Sequence, residues 1–573
     1  MDQTVWKVMD CDEAAAQALS MDAGVSPVMS RLLVNRGVKT ASDLKMFLDP
    51  SLAGLHDPYL LPDVEEGVER IADAIVSGEK ICVYGDYDVD GVTSTALLVR
   101  TLRALKANVE YRLPHRQRDG YDIKPPAIDA AAESGCTLVV TCDCGINACS
   151  TADRARELGI DLIITDHHEP GAELPNAVAV INPKRRDSNY PFVELAGVGV
   201  ALKVAQALVR LLGHDEESFL SRFVDLAALG TVADVVPLLD ENRAIVKFGL
   251  DLMPKSKKVG LKTILRTTGL DGKAITTHYV GYILGPRINA VGRMDDAHTA
   301  LKLFLTKDEN EARILAETME RHNSDRKVEQ ERILAETSGQ LESIDLASSR
   351  ILVLSSDGWN PGVIGIVAGR ICETHCRPTI LIARDEASGM GVGSARSIDA
   401  FHMRDALARC SDLFTHFGGH ALAAGFTIPL ENISAFEERI SAHAIDTISD
   451  EELAPRIRAD VELVPQDITR ELANSLLKME PFGEGNLEPM FITRNFKVLN
   501  YQRVGDGSHL KLKVQGWQGA PIDCIAFRMG DMADRLELGG SVDLCYNIRL
   551  NTYNGVESVQ LVGKAIKIGS SDG

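Results

Sequence analysis

The 573-residue sequence contains no CxxC pair and no excess of basic charge. Nor does any apolar run approach the ~18 residues that a membrane-crossing helix needs. Each absence excludes something. The N-terminal stretch MDQTVWKVMDCDEAAA lacks the apolar core of a secretion signal, so a cytoplasmic protein with no membrane partner is expected. Eleven cysteines are scattered along the chain; Cys142 and Cys144 flank an aspartate, and Cys372 and Cys376 lie four apart. A disulfide framework would be denser and would sit in a short secreted chain, so the thiols read as reduced and structural. The 61 basic residues face 82 acidic ones, for a formal net charge of −21. Taken alone this argues against a nucleic-acid partner, although phosphate contacts depend on local patches rather than on totals.

What is present is organised in blocks. The length is too great for one core and implies several domains. Residues 1–78 read as a helical extension. From 79 to 240, short apolar runs (ICVYG, NVEYRLP, TLVVT, DLIIT) alternate with helical patterns, the signature of a mostly parallel sheet covered by helices. Residues 241–345 are helical and end in a charged stretch with no Gly or Pro until Gly339, which predicts one or two long helices joining two lobes. A second α/β lobe follows over 346–455. Five strands separated by Gly, Asp and Asn turns over 456–573 predict a small β-barrel of OB type.

The stretch GDYDVDG at 85–91 places Asp86, Asp88 and Asp90 at alternate positions. At ~4 Å and an effective dielectric of 20, each like-charged pair costs roughly 4 kcal/mol, so a cation is expected among them. A calcium loop is excluded, because a strand precedes the motif and its twelfth position, where a glutamate is needed, is Leu97. Two further apolar strands also end in chemistry. TLVVT runs into CDCG with Asp143, and DLIIT runs into DHHEP with Asp166, His167 and His168; Asp234 follows a buried helix-like run. A single aspartate after a strand is ordinarily a helix cap. Several delivered to one edge of an α/β sheet read instead as a ligand site. Carboxylates with imidazole suit Mg²⁺ or Mn²⁺, and two such ions would suit displacement at phosphorus. The side chains of Cys142 and Cys144 should point away from Asp143 on an extended segment.

DYDVDG, CDCG, DHHEP and TVADVVPL, in this order, resemble the four motifs of the DHH phosphoesterase superfamily. The longer matches FLDPSLAGLHDPYLLPD, GPRINAVGRM, DGWNPGVIGIVAGR, GSARS and FGGHALAAGF resemble its branch of single-strand-specific DNA exonucleases. The resemblance covers nearly the whole chain. It implies a DHH catalytic domain, a DHHA1 substrate domain and an OB-like barrel. It implies metal-dependent hydrolysis of single-stranded DNA from its 5′ end to 5′ mononucleotides, in repair and recombination, by a monomer supplied by a helicase and a single-strand-binding protein. By the same resemblance, Asp88, Asp90, Asp143, His167 and Asp234 hold two divalent cations, Mn²⁺ or Mg²⁺. Asp86 and His168 complete the site, and His168 is placed to help at the scissile phosphate. Arg116, Arg287, Asn289 and Arg293 would follow the DNA; Ser394, Arg396, Gly418, Gly419 and His420 would bind phosphate. Tyr501, Arg503, Lys511, Lys513 and Trp517 would form either a stacking face or an ordinary polar barrel surface. One departure is Asn360, where the family usually carries a histidine. The alternatives are a DHH phosphoesterase acting on short oligonucleotides or small phosphate compounds, and a DNA-binding scaffold without activity.

Overall fold

The computed structural model describes residues 4–116, 118–120, 122–553 and 555–569. They fall into two compact units, a larger one of 6–292, 297–317 and 458–569 and a smaller one built chiefly from 318–457 with 293–296. Among the described residues, no helix is long and apolar enough to cross a membrane.

The larger unit holds a five-stranded sheet in the order Asn108–Arg112, Lys80–Gly85, Leu138–Cys142, Asp161–Thr165, Ala179–Ile181. Every pairing is parallel. The three central strands are apolar on both faces and almost wholly buried, as a sheet covered by helices requires. The chain leaves Lys80–Gly85 to one side and returns on the other, so the order reverses between that strand and Leu138–Cys142. In such sheets the reversal opens a crevice at the carboxyl ends of the strands. Asp86 and Asp143 are the residues that follow these two strands.

The smaller unit has a mixed sheet in the order His416–Gly419, Ala423–Pro429, Met390–Arg396, Thr379–Asp385, Leu352–Asp357. Only the last pair is parallel. The charged stretch before it is one helix, Glu309–Leu341, which has no helix-breaking residue until its final turn.

The C-terminal segment closes as a barrel. Phe491–Val504 pairs with both His509–Gln515 and Ser541–Tyr553, so the strands return on themselves and no long edge remains. A short strand, Val461–Glu462, runs parallel to the start of Phe491–Val504. The N-terminal residues are not wholly helical, since Val5–Val8 is a strand, too short to be recognised from alternation alone. The helices Glu13–Ala23, Pro27–Val34 and Ala41–Leu48 do not form a core of their own. Leu19, Leu32, Leu33 and Phe47 share one apolar cluster with Phe491, Leu512, Leu544 and Leu561 of the barrel. Two arginines pin the arrangement. Arg36 donates to Asp460, to Asn486 and to the Leu487 carbonyl. Arg243, almost fully buried, donates to the carbonyls of Phe47, Glu480 and Pro481 and sits 4.0 Å from the centre of the Phe47 ring.

Because that core is shared, Leu33→Ala should destabilise the barrel as well as the helices, by ~2–5 kcal/mol for a buried leucine. Hydrogen exchange would show the loss in Ser541–Tyr553 as well as in Pro27–Val34. Loss confined to residues 13–48 would contradict the shared core.

Candidate metal centre

Three loops at the carboxyl edge of the parallel sheet, and the end of one helix, build the centre. The first loop follows Lys80–Gly85. Asp86 and Asp90 are buried at 2% and 1% exposure. Asp88 caps the helix Val89–Ala104, accepting from Gly91 N at 3.0 Å. Gly91 permits the tight fold-back: a Cβ there would lie 2.5 Å from the backbone of Asp86. Asp90 accepts from Gly197 N at 2.6 Å and Val198 N at 2.8 Å. These amides open the helix Gly197–Leu211, so the carboxylate rests at the positive end of a helix dipole.

The second loop places Asp143 in the left-handed region at φ 62°, which aspartate tolerates because its short polar side chain bonds locally. Helix Gly197–Leu211 packs against it, and a Cβ at Gly197 would lie 2.7 Å from the Asp143 side chain. The third loop is DHH. Asp166 Oδ1 accepts from the amides of His167 and His168 and from His168 Nδ1 at 2.7 Å, while Oδ2 accepts from Ile146 N. Its acceptors are thus committed to shaping the loop and fixing the His168 ring. Asp234 ends the helix Glu216–Ala233 and is followed by Val235 at φ 62°. A β-branched residue there is strained, by about 1–3 kcal/mol, and such strain concentrates at functional sites.

These residues converge. His167 Nε2 lies 3.1 Å from Asp143 Oδ1, 3.6 Å from Asp234 Oδ2 and 3.9 Å from Asp90 Oδ2. Asp86, Asp88 and Asp143 offer one set of ligand atoms mutually within 4.8 Å; Asp90, His167 and Asp234 offer a second; Asp143, His167 and His168 a third. Asp143 and His167 each serve in two sets. Asp86 Oδ1, Asp143 Oδ1, Asp234 Oδ2 and both nitrogens of His167 are buried without a hydrogen-bond partner. Buried polar atoms left without partners are costly, and five in one place fit a bound cation. Oxygen donors with imidazole match Mg²⁺ or Mn²⁺.

The electrostatics agree. Burial, then the neighbouring Asp88 charge, raises Asp86 well above the usual carboxylate range and Asp90 to about 7. Burial and mutual repulsion raise Asp143 and Asp234 likewise. Burial and the adjacent His168 lower His167 to about 3, keeping it a neutral donor. Burial opposes charge on His168, but its bond to Asp166 and the surrounding carboxylates outweigh this and lift it to about 9. Cys142 and Cys144 are buried, their thiols are pushed up by desolvation, and neither belongs to any of the three ligand sets.

The other candidates are distributed differently. Arg116 lies 5.0 Å over the Tyr87 ring, beside the first loop. Asn289 Oδ1 accepts from Val89 N at 3.1 Å and so supports that loop from behind. Arg287 donates to the Ile283 carbonyl of its own helical run, and Arg293 to the Gly362 carbonyl. In the smaller unit, Ser394 lies opposite Gly425, which lies opposite Gly418; Arg396 and Gly419 flank that row. A Cβ at Gly365 would lie 2.7 Å from Ser394 Oγ and 3.2 Å from Arg396 Nη2, which sets both polar groups under the start of the helix Ile364–His375. His420 is exposed at the end of the row. Asn360 caps its own turn, Oδ1 accepting from Gly362 N at 2.8 Å. In the barrel, Tyr501 donates to the Leu536 carbonyl, and Arg503 is bonded to the Gly530 carbonyl and paired with Asp534. Both therefore have hydrogen-bond partners within the barrel. Lys513 lies 3.8 Å from Asp523, and Trp517 is 58% exposed.

Sequence reasoning gave no role to Asp166, which lay in view inside DHHEP, or to the amides of Gly197 and Val198. It also passed over Lys184, whose positive charge bears on both Asp234 and His167.

Residues 80–231 match the DHH family, N-terminal domain, residues 348–445 the DHHA1 domain and residues 459–565 the RecJ OB domain. The chain is 37% identical over 560 residues to the single-stranded-DNA-specific exonuclease RecJ of Bacillus subtilis (strain 168), covering 98% of this chain and 70% of that one. It is 36% identical over 572 residues to the protein so named in Escherichia coli (strain K12), covering 96% and 97%. The crystal structure of RecJ in complex with Mn²⁺ from Thermus thermophilus superposes with a TM-score of 0.85 at 31% identity, covering 100% of this chain and 80% of that one. That of RecJ with Mg²⁺ from the same organism gives 0.79 at 29% identity, covering 100% and 79%.

The raised carboxylates set a pH signature for the metal-free protein. Asp90 titrates near 7 when folded against ~4 when unfolded, so the folded state binds more protons and loses stability as pH rises between those values. Metal-free protein should therefore melt lower at about pH 8 than at about pH 5, and Mn²⁺ should raise the melting temperature more at the higher pH. Asp143→Asn, which suits the left-handed backbone, should raise the metal-free melting temperature at about pH 8 and remove most of the Mn²⁺ shift. An unchanged Mn²⁺ shift would exclude Asp143 as a ligand.

Proposed function

The chain belongs to the RecJ family of single-stranded-DNA-specific exonucleases, and from this membership and the geometry of its centre we propose which residues hold the metals and which hold the DNA. The protein is a metal-dependent exonuclease that hydrolyses phosphodiester bonds of single-stranded DNA, using Mn²⁺ or Mg²⁺. The observation that supports the residue assignment is the convergence, at the switch point of a parallel sheet, of three ligand sets linked through Asp143 and His167, each of which serves in two.

In this reading Asp86, Asp88 and Asp143 would hold one cation and Asp90, His167 and Asp234 the other, with Asp143 Oδ1 3.1 Å from His167 Nε2 between the two sets. A bound pair would supply positive charge against the carboxylates and Lewis acidity toward phosphate and water. The protein's own contribution is rigidity. The amides of Gly197 and Val198 hold Asp90, and neutral His167 donates without adding charge. Asp166 holds the His168 ring at Nδ1, which orients it to stabilise charge at the phosphate and to assist departure of the 3′ oxygen. Hydrolysis adds water across the P–O3′ bond, leaving a 3′ hydroxyl on the released nucleotide and the phosphate on the 5′ end of the shortened strand, from which the next nucleotide leaves as a 5′ mononucleotide.

Ser394, Arg396, Gly418, Gly419 and His420 bind a phosphate: the glycines admit backbone amides, and the guanidinium fits phosphate oxygens bidentately. Arg116 and Arg287 contact the DNA backbone near the metals, Asn289 supports Val89 beside them, and Arg293 serves in the smaller unit. Degradation proceeds from the 5′ end and releases 5′ mononucleotides, in DNA repair and recombination. The enzyme works as a monomer on strands that a helicase opens and a single-strand-binding protein covers. The closed C-terminal barrel favours a long strand over short oligonucleotides as substrate.

A digestion series tests this. With Mn²⁺, strands labelled at either end should lose mononucleotides from the 5′ side only, while blunt duplex should persist. Preferred cleavage of a dinucleotide over a long strand would overturn the substrate assignment. His168→Ala should lower kcat by about 10²–10⁴-fold while keeping the Mn²⁺ thermal shift. An unimpaired kcat would remove His168 from the chemistry.

A further inference from the structure

The helical run 277–292 borders the metal centre yet carries side chains that the reading above does not use. It opens with Thr277–Tyr279, continues through a π-helical turn, Val280–Leu284, and becomes the α-helix beginning at Gly285. π-Turns are rare and are found disproportionately at functional sites. The run touches the metal loops at three places. Asn289 accepts from Val89 N. A Cβ on Gly292 would lie 2.8 Å from the Tyr87 carbonyl oxygen. A Cβ on Gly285 would lie 3.8 Å from Ala233, the neighbour of Asp234. Tyr282 is three residues from Gly285, within the π-helical turn.

Tyr282 is 74% exposed, and its ring stacks on that of His278 with centroids 4.7 Å apart and planes at 30°. Among the described residues, Trp517 and Phe527 are the other aromatic side chains more than half exposed, and both belong to the barrel. Tyr282 alone of the three lies on an element that touches the metal loops. His278 also lines a cleft of about 890 Å³, with Lys247, Asp251, Glu480, Glu488 and Arg549 among its walls.

We propose that His278 and Tyr282 form a stacking platform for a base of the single-stranded substrate, a few nucleotides from the scissile phosphate. This rests on the single-strand exonuclease reading and deepens it. Every base has a π-face, so such a platform selects unpaired strands without selecting sequence, and it accepts no base still held in a duplex. Tyr282 is a positioning residue: it fixes the register of the strand against the metal centre and leaves the reacting atoms to others.

The test uses the full chain with Mn²⁺. On strands of about 20 nucleotides, Tyr282→Ala should raise KM by about tenfold, the worth of one stacked base, with the loss falling on KM rather than on kcat. Tyr282→Phe should restore the wild-type KM, because stacking needs the ring and not the hydroxyl. A 2-aminopurine moved along an uncleavable strand should be quenched at one register in wild type and at none in Tyr282→Ala. Normal single-strand turnover with unchanged KM in Tyr282→Ala overturns the platform alone. Failure of the wild type to degrade single strands overturns the exonuclease reading and the platform with it.

Discussion

Buried negative charge organises this molecule. Asp86, Asp90 and Asp143 are each at most 2% exposed, and Asp88 and Asp234 stand beside them. At the spacing observed, every neighbouring pair repels by several kcal/mol even in a forgiving dielectric. A fold can tolerate that in two ways, and this one uses both. It supplies fixed dipoles, as at the helix start that grips Asp90, and it aims orphaned oxygens and imidazole nitrogens at shared space that a cation can fill. The left-handed backbone at Asp143 and the strained one at Val235 follow from the same demand, since they hold carboxylates where a relaxed chain would not.

The parallel sheet makes this possible at low entropic cost. Its order reverses between Lys80–Gly85 and Leu138–Cys142, so loops from distant parts of the sequence meet without any long excursion. Glycines then set the closeness. Gly91 lets the first loop fold back on Asp86, and Gly197 lets a helix start lie against Asp143. A methyl group at either place would meet its neighbour at 2.5 Å or 2.7 Å, and relieving that contact would move a ligand by more than the ~0.5 Å that a built site tolerates.

Much of the centre was legible in the sequence because strand-then-acid is a local pattern with a physical cause. Apolar runs of five residues announce buried strands, and carboxylates at their ends need partners. Asp166 was in plain view without a role, because its bonds go to amides of its own loop and spacing does not reveal them. Asn289 read as a DNA contact, whereas one end of it supports Val89, 200 residues away in sequence. Tyr501 and Arg503 read as candidates for a stacking face; their partners lie in the 530–536 segment, which no periodicity links to them. The helices of residues 13–48 showed apolar faces, but amphipathic patterning says that a face is buried and not what covers it.

That last point has a consequence for how the chain is made. The apolar residues around Leu19, Leu33 and Phe47 emerge from the ribosome first, yet their packing partners begin at Val461 and end at Leu561. At ~5–20 residues per second, the gap of some four hundred residues is roughly 20 to 80 s of synthesis. During that interval the parallel sheet and its metal loops have everything they need to form, while the leading helices have nothing to close on. Until the barrel is made, the apolar faces of residues 13–48 lack their main cover.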